Sequence, residues 1–180
     1  MVFFFFFLAL FSSLKLAKQL SFVSARPEFD SSPEDATKIE QWKSLNGFAA
    51  SLLAASVQSL ANFGMWELRD ALEEPQLNNQ ARDIHLITAS GWITRAGPVL
   101  CGVCLERTRL DEQSKQALRP GTLFEGGDPG FTEERWSFWA KKVEELRETV
   151  VDEDIKEELE RAWEMILSLN VGMILSTGQH

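Results

Sequence analysis

Residues 132–169 read TEERWSFWAKKVEELRETVVDEDIKEELERAWEMILSL, and their periodicity decides the fold class. Thr132 can accept a hydrogen bond from a free amide of a first helical turn, and Glu133 and Glu134 put negative charge at the positive end of the helix dipole. Beyond that start, Trp136, Trp139, Val143, Leu146 and Val150 recur at steps of three and four, the period of a helix with one buried stripe. Asp152 offers a second cap, and Ile155, Leu159, Ala162, Ile166 and Leu169 repeat the pattern. So short a separation makes the two helices double back on each other as an antiparallel helical hairpin.

Upstream the same period continues. Ser32-Pro33-Glu34-Asp35 is a helix start, with a capping Ser, a Pro at the first helical position and acids in the opening turn. Ile39, Trp42, Leu45, Phe48, Leu52, Leu53 and Val57 form its predicted buried stripe, with a kink at Asn46-Gly47 and a stop at Gly64. Residues 65–74, with Trp66, Leu68 and Leu72, read as a short helix ended by Pro75, and QLNNQ at 76–80 reads as a polar loop. Ile84, Ile87, Trp92 and Ile93 mark a further helix running toward Gly97-Pro98, and residues 111–118 supply one or two turns. Arg119-Pro120-Gly121 and GGDPG at 126–130 make a loop. Without internal repeats or strand alternation, the expected class is all-α: a single-domain helical bundle over residues 31–170, ending in the hairpin, with residues 171–180 as a C-terminal tail.

Of the 180 residues, 44% are hydrophobic and 25% charged, an ordinary globular composition. A chain of this size buries roughly 70% of its unfolded surface, so its core requires neither metal nor disulfide. The formal net charge is −9, with acids crowded between Glu144 and Glu160. Nucleic-acid affinity comes largely from Lys and Arg displacing counterions, so this sign of charge excludes a nucleic-acid partner.

Residues 1–30 are set apart as a leader or unstructured extension. MVFFFFFLALF is too short to cross a bilayer, which takes about 20 apolar residues, so no stable membrane span is expected. The run resembles the core of a secretory signal, with Val23-Ser24-Ala25 as a cleavage site, although Lys15 and Lys18 intervene. A mitochondrial leader and an upstream extension from a misplaced start codon are the alternatives. Localisation, intracellular or secreted, follows from which of these holds.

Cys101 and Cys104 are the only cysteines and stand at C-x-x-C spacing. A reactive dithiol wants its first Cys at a helix N-terminus following a strand, whereas the residues before Cys101 read as helix. Two small buried hydrophobes are the expected reading, with a redox pair as the alternative. A zinc site would have to use Cys101, Cys104, His85 and His180, the whole Cys and His inventory, and no spacing points to acid ligands, so no metal or other cofactor is expected. His85 has no nucleophile beside it, and Asp83, two positions away on a helix, faces elsewhere. GGDPG lacks the phosphate-cradling pattern, and the acids at 144–160 lack calcium-loop spacing and read as solvated faces. The six Trp lie on apolar stripes and read as core.

Four stretches carry a family resemblance: WKSLNGFAASLLA at 42–54, MWELRDALEE at 65–74, ASGWITRAGPVL at 89–100 and FEGGDPGFTEERWSFWAKKVEEL at 124–146. Together they resemble the fungal family catalogued as domain of unknown function 3632, over about residues 40–169. The matching positions are Trp42, Leu45, Asn46 and Phe48; Trp92, Ile93, Ala96 and Gly97; and Gly127, Pro129, Gly130, Phe131, Arg135, Trp136, Phe138 and Trp139. Thr132 stands where the pattern has Ser, keeping a cap, and Arg95 where it has His, which argues against an essential base there. The resemblance implies a helical, intracellular protein with no assigned reaction, and the Cys pair is not part of the pattern.

Physically, Phe131 before the Thr132 cap can fold back on Trp136 as a hydrophobic staple, and Arg135 can reach an acid on a neighbouring helix. The expected function is a non-enzymatic interaction or structural module with an unknown protein partner, using the loop from Gly126 to Phe131 and the acidic outer face of the hairpin. The alternatives are a secreted or organellar thiol protein using Cys101 and Cys104, and an enzyme with a pocket between helices near His85, Arg95 and Arg135.

Overall fold

The computed structural model describes residues 33–56, 60–75, 79–106 and 109–177, and among them lie six α-helices and no strand. These are α1 (Pro33–Ala54), α2 (Ala61–Leu72), α3 (Asn79–Leu105), α4 (Glu112–Ala117), α5 (Glu133–Thr149) and α6 (Glu153–Thr177). The chain is all-α, as its periodicity predicts. The leader expected over residues 1–30 and His180 lie outside the described residues. No helix among the described residues is long and apolar enough to cross a membrane.

Contacts divide the chain into two units, Met1–Leu45 and Asn46–His180, with the division inside α1. Within the described part of the first unit, Trp42 is buried and Lys43 pairs with Glu40 one turn earlier at 3.0 Å.

The second unit is organised by α3, which packs against α2, α5 and α6. Its buried residues Ile84, Leu86, Ala89, Trp92, Ile93, Ala96 and Leu100 fall on more than one face, as expected of a central helix. Pro98 does not end α3, which continues to Leu105. A proline removes the amide owed to the carbonyl four residues earlier, but burial on both sides holds the helix together.

Gly64, expected as a stop, lies inside α2 on its buried face. A Cβ there would fall 2.9 Å from Trp92 Cε3 and 3.3 Å from Leu100 Cδ2, so the glycine sets how closely α2 approaches α3. Trp92 cannot swing aside, because its Nε1 donates to buried Asn46 Oδ1 at 2.9 Å. That bond gives Asn46 a core role, and α1 runs through Asn46-Gly47 as unbroken helix. Phe48, read as part of the buried stripe, is 49% exposed, whereas Leu53 is buried.

The hairpin follows its sequence closely. Thr132 Oγ1 accepts from the Arg135 amide at 3.1 Å, and Asp152 Oδ1 accepts from the amides of Asp154 and Ile155 at 3.1 and 3.2 Å. Trp136, Trp139, Val143, Ile155, Leu159, Ala162 and Ile166 are buried between neighbouring helices. Arg147 on α5 donates to both carboxylate oxygens of Glu160 on α6, at 3.0 and 3.1 Å, and lies 5.3 Å over the Trp163 ring. Most of the remaining acids face outward and pair along the helix, as Glu145 does with Lys142 and Glu157 and Glu158 do with Arg161. Pairs this exposed are screened by water and contribute little, so the acidic face is a solvated one.

Candidate functional site

The family motif builds one feature: a buried cluster that ties the loop between α4 and α5 to the end of α2. α2 terminates at Leu72, and Glu73, its C-cap, is fully buried. From the first turn of α5, Arg135, also fully buried, meets that carboxylate in a two-pronged arrangement, Nε to Oε1 at 2.6 Å and Nη2 to Oε2 at 2.9 Å. The other guanidinium N–H groups donate to backbone carbonyls: Nη1 to Leu118 at 2.8 Å and Gly130 at 3.0 Å, and Nη2 to Arg119 at 3.1 Å. All five donors of the guanidinium are therefore used.

Glu73 is as fully engaged. Trp139 Nε1 donates to its Oε1 at 2.6 Å, the Gly121 amide donates to Oε2 at 2.7 Å, and the Leu123 amide donates to its main-chain carbonyl at 2.7 Å. Two charges taken out of water are tolerated when their hydrogen-bonding capacity is satisfied, and here it is. Such a cluster has no donor left for an anion and no lone pair poised for proton transfer. Its work is mechanical: it fixes both ends of the 118–130 loop against a rigid frame.

The glycines follow from that constraint. At Gly121 a Cβ would lie 2.6 Å from Glu73 Cβ and 2.7 Å from its carbonyl oxygen, so any side chain collides with backbone. Gly130 adopts φ +95°, a left-handed region closed to most residues, and a Cβ there would meet Leu110 at 2.5 Å. Gly127 lies against the Phe124 ring, which itself packs on Phe138 at 4.9 Å. Pro129 and Phe131 line a pocket of about 300 Å³ together with Leu110, Lys115, Asp128 and Glu134. Of the motif residues, Arg135, Trp136, Trp139 and Gly130 are thus buried, while Gly127, Pro129 and Phe131 form the partly exposed rim.

Cys101 and Cys104 are buried, unpaired thiols in the last turns of α3. Burial, then the neighbouring Cys101, pushes the Cys104 thiol up to about 12, and burial followed by the Glu133 charge raises Cys101. A redox-active thiol needs the opposite shift. Native protein at about pH 8 is expected to leave both thiols unmodified by a disulfide reagent, with both reacting once denaturant opens the core. Prompt reaction of either in the native state would contradict this burial. In the folded state Cys104 keeps its proton to about 12, against 9.0 when free. Its contribution to stability is therefore intact below about 9 and is lost as pH climbs toward 12.

His85, Arg95 and Arg135, grouped as the lining of an enzyme pocket, meet different partners. Arg135 is held by Glu73, exposed Arg95 donates to the Gly91 carbonyl at 3.3 Å, and His85 Nδ1 lies 3.4 Å from Glu67 Oε2. The His85 contact was not foreseen. Glu67 and Asp70 stand three apart on the buried face of α2, and with His85 of α3 they bring ligand atoms within 4.8 Å of one another. The available signal was two acids at helical spacing on a face otherwise made of Gly64, Leu68 and Ala71.

No curated protein and no solved structure matches the chain. The family described as "Protein of unknown function (DUF3632)" matches it over residues 13–143, a span that includes Glu73, the glycine loop, Arg135 and Trp139 of the cluster. The resemblance read from the Trp, Gly and Arg positions therefore stands, and the chain belongs to this family.

Proposed function

We propose that this protein is a non-enzymatic interaction module whose contact surface is the loop from Thr122 to Phe131. One observation carries the reading: a fully satisfied buried Arg–Glu pair is spent on holding a loop rather than on a reactive group. A preformed loop loses little conformational freedom when it binds, so the same contacts give higher affinity. Its outer side keeps Leu123 49% exposed and Asp128 exposed. The adjoining pocket has apolar walls in Leu110, Pro129 and Phe131, and Asp128 and Glu134 at its edge. Lys115, the one cation in that lining, is paired with Glu112 at 2.6 Å. The matching partner is a protein segment that inserts an apolar side chain and places a Lys or Arg beside it.

Zero-length carbodiimide coupling in native lysate, which joins carboxylates to amines, tests this reading. Wild-type protein is expected to couple Asp128 to a lysine of a partner, and Asp128→Lys and Leu123→Asp, both at exposed positions, are expected to lose that product. Equal coupling by wild type and both variants, or no product above background, would overturn the assignment.

A further inference from the structure

We propose that Glu67, Asp70 and His85 form a three-ligand site for a divalent transition-metal ion of the manganese, iron or zinc type, clipping α2 to α3. Glu67 and Asp70 lie at i and i+3, so both carboxylates leave the same face of α2, toward the helix that carries His85. They are only 2% and 3% exposed. Two carboxylates this close and this buried repel each other and have lost their hydration, which calls for a counter-charge. Arg69 supplies part of it, with Nε 3.4 Å from Asp70 Oδ1.

Glu67 is the second, independent observation. Its one hydrogen-bond contact among the described residues is His85 Nδ1, at 3.4 Å, beyond good hydrogen-bond length. A buried carboxylate left that poorly satisfied is the kind of group that an ion or an ordered water completes. Two acid oxygens and one imidazole nitrogen make a mixed donor set, which suits borderline ions better than calcium or magnesium, whose ligands are all oxygen. Ligand atoms sharing an ion with bonds near 2.1 Å lie about 3 to 4 Å apart, so small carboxylate rotations close the present spacing. The His85 side chain is 12% exposed, leaving a solvent-facing side for uptake and for bound water.

The test is titration of the full-length chain with Mn²⁺ and Zn²⁺, followed by native mass spectrometry and thermal unfolding, with Ca²⁺ and Mg²⁺ as controls. One ion per chain is expected, with the melting temperature rising by about 5 to 10 °C at a hundredfold excess over the dissociation constant. Glu67→Gln keeps the side-chain shape and removes one repelling charge. The metal-free variant is expected to melt no lower than wild type, while its metal-induced shift disappears. His85→Gln is expected to weaken binding at least about tenfold, and Glu157→Gln, on the exposed acidic face, to leave it unchanged. No uptake by wild type, or uptake that Glu67→Gln and His85→Gln leave intact, would overturn the site; either isosteric variant suffices should the other fail to fold.

Discussion

Arg135→Ala is expected to lower the free energy of unfolding by about 3 to 5 kcal/mol, because it leaves the Glu73 carboxylate buried without its counter-charge. The loss goes beyond the pair. Three of the five guanidinium bonds go to the carbonyls of Leu118, Arg119 and Gly130, and all three lose that donor together. Arg135→Lys is expected to recover little, since a single ammonium offers three donors from one point and cannot span acceptors on opposite sides of a planar fork. The most informative comparison is the double variant Glu73→Leu with Arg135→Met. A simple buried ion pair can often be replaced by apolar residues at no cost. Here the double variant is expected to stay well below wild type, because the Gly121 amide loses its acceptor and the Arg119 and Gly130 carbonyls lose their donor. Urea unfolding followed by circular dichroism measures each step. Full recovery in the double variant would show that the pair balances charge and does not hold the loop.

This result bears on function because the same atoms fix the proposed contact surface. If the clamp is released, Asp128 and Leu123 stay in the chain but lose their fixed positions, so coupling to the partner should fall even where helical content is retained. A loop whose only task was to join α4 to α5 would not need its ends held by two fully buried charges and a glycine, Gly121, with no room for a Cβ.

How far the sequence could be read depends on the range of the interaction. The caps at Thr132 and Asp152 and the stripe of Trp136, Trp139, Val143, Ile155 and Leu159 are local, set by spacing along one helix, and they form as expected. Arg135 was legible as a residue seeking an acid, but Glu73 lies 62 positions away, and only the packing of α2 against α5 identifies it. Gly64 misled for a related reason: local rules read glycine as punctuation, whereas it lies inside α2 where Trp92 and Leu100 come close; Gly121 does lie in a loop, as read, but what requires glycine there is the approach of Glu73. Glu67 and Asp70 could be seen to share a face with Leu68 and Ala71, yet what they face, His85, depends on the register between α2 and α3.

Trp136 and Trp139 are expected to separate under substitution, although they are one turn apart and stack edge to face at 6.3 Å. Trp136 is 4% exposed, so Trp136→Ala removes a large aromatic from a packed interior and is expected to cost about 3 to 5 kcal/mol through lost burial and the cavity left behind. A loss within error would place its ring at the surface. Replacement by Phe distinguishes what the two rings contribute. Trp136 Nε1 is buried without a hydrogen-bond partner among the described residues, so Trp136→Phe gives up some volume but also removes an unsatisfied donor; the expected loss is at most about 1 kcal/mol. Trp139 Nε1 instead donates to Glu73 at 2.6 Å, and its ring lies 5.5 Å from the Arg135 guanidinium carbon. Trp139→Phe therefore takes a charge-assisted bond from a buried carboxylate and is expected to cost about 2 to 3 kcal/mol, the larger of the two. Chemical denaturation of the two Phe variants side by side decides the order. If Trp136→Phe costs as much as Trp139→Phe, the indole of Trp139 is packing the core rather than completing the Arg135–Glu73 cluster, and the clamp is held by the ion pair and the loop backbone alone.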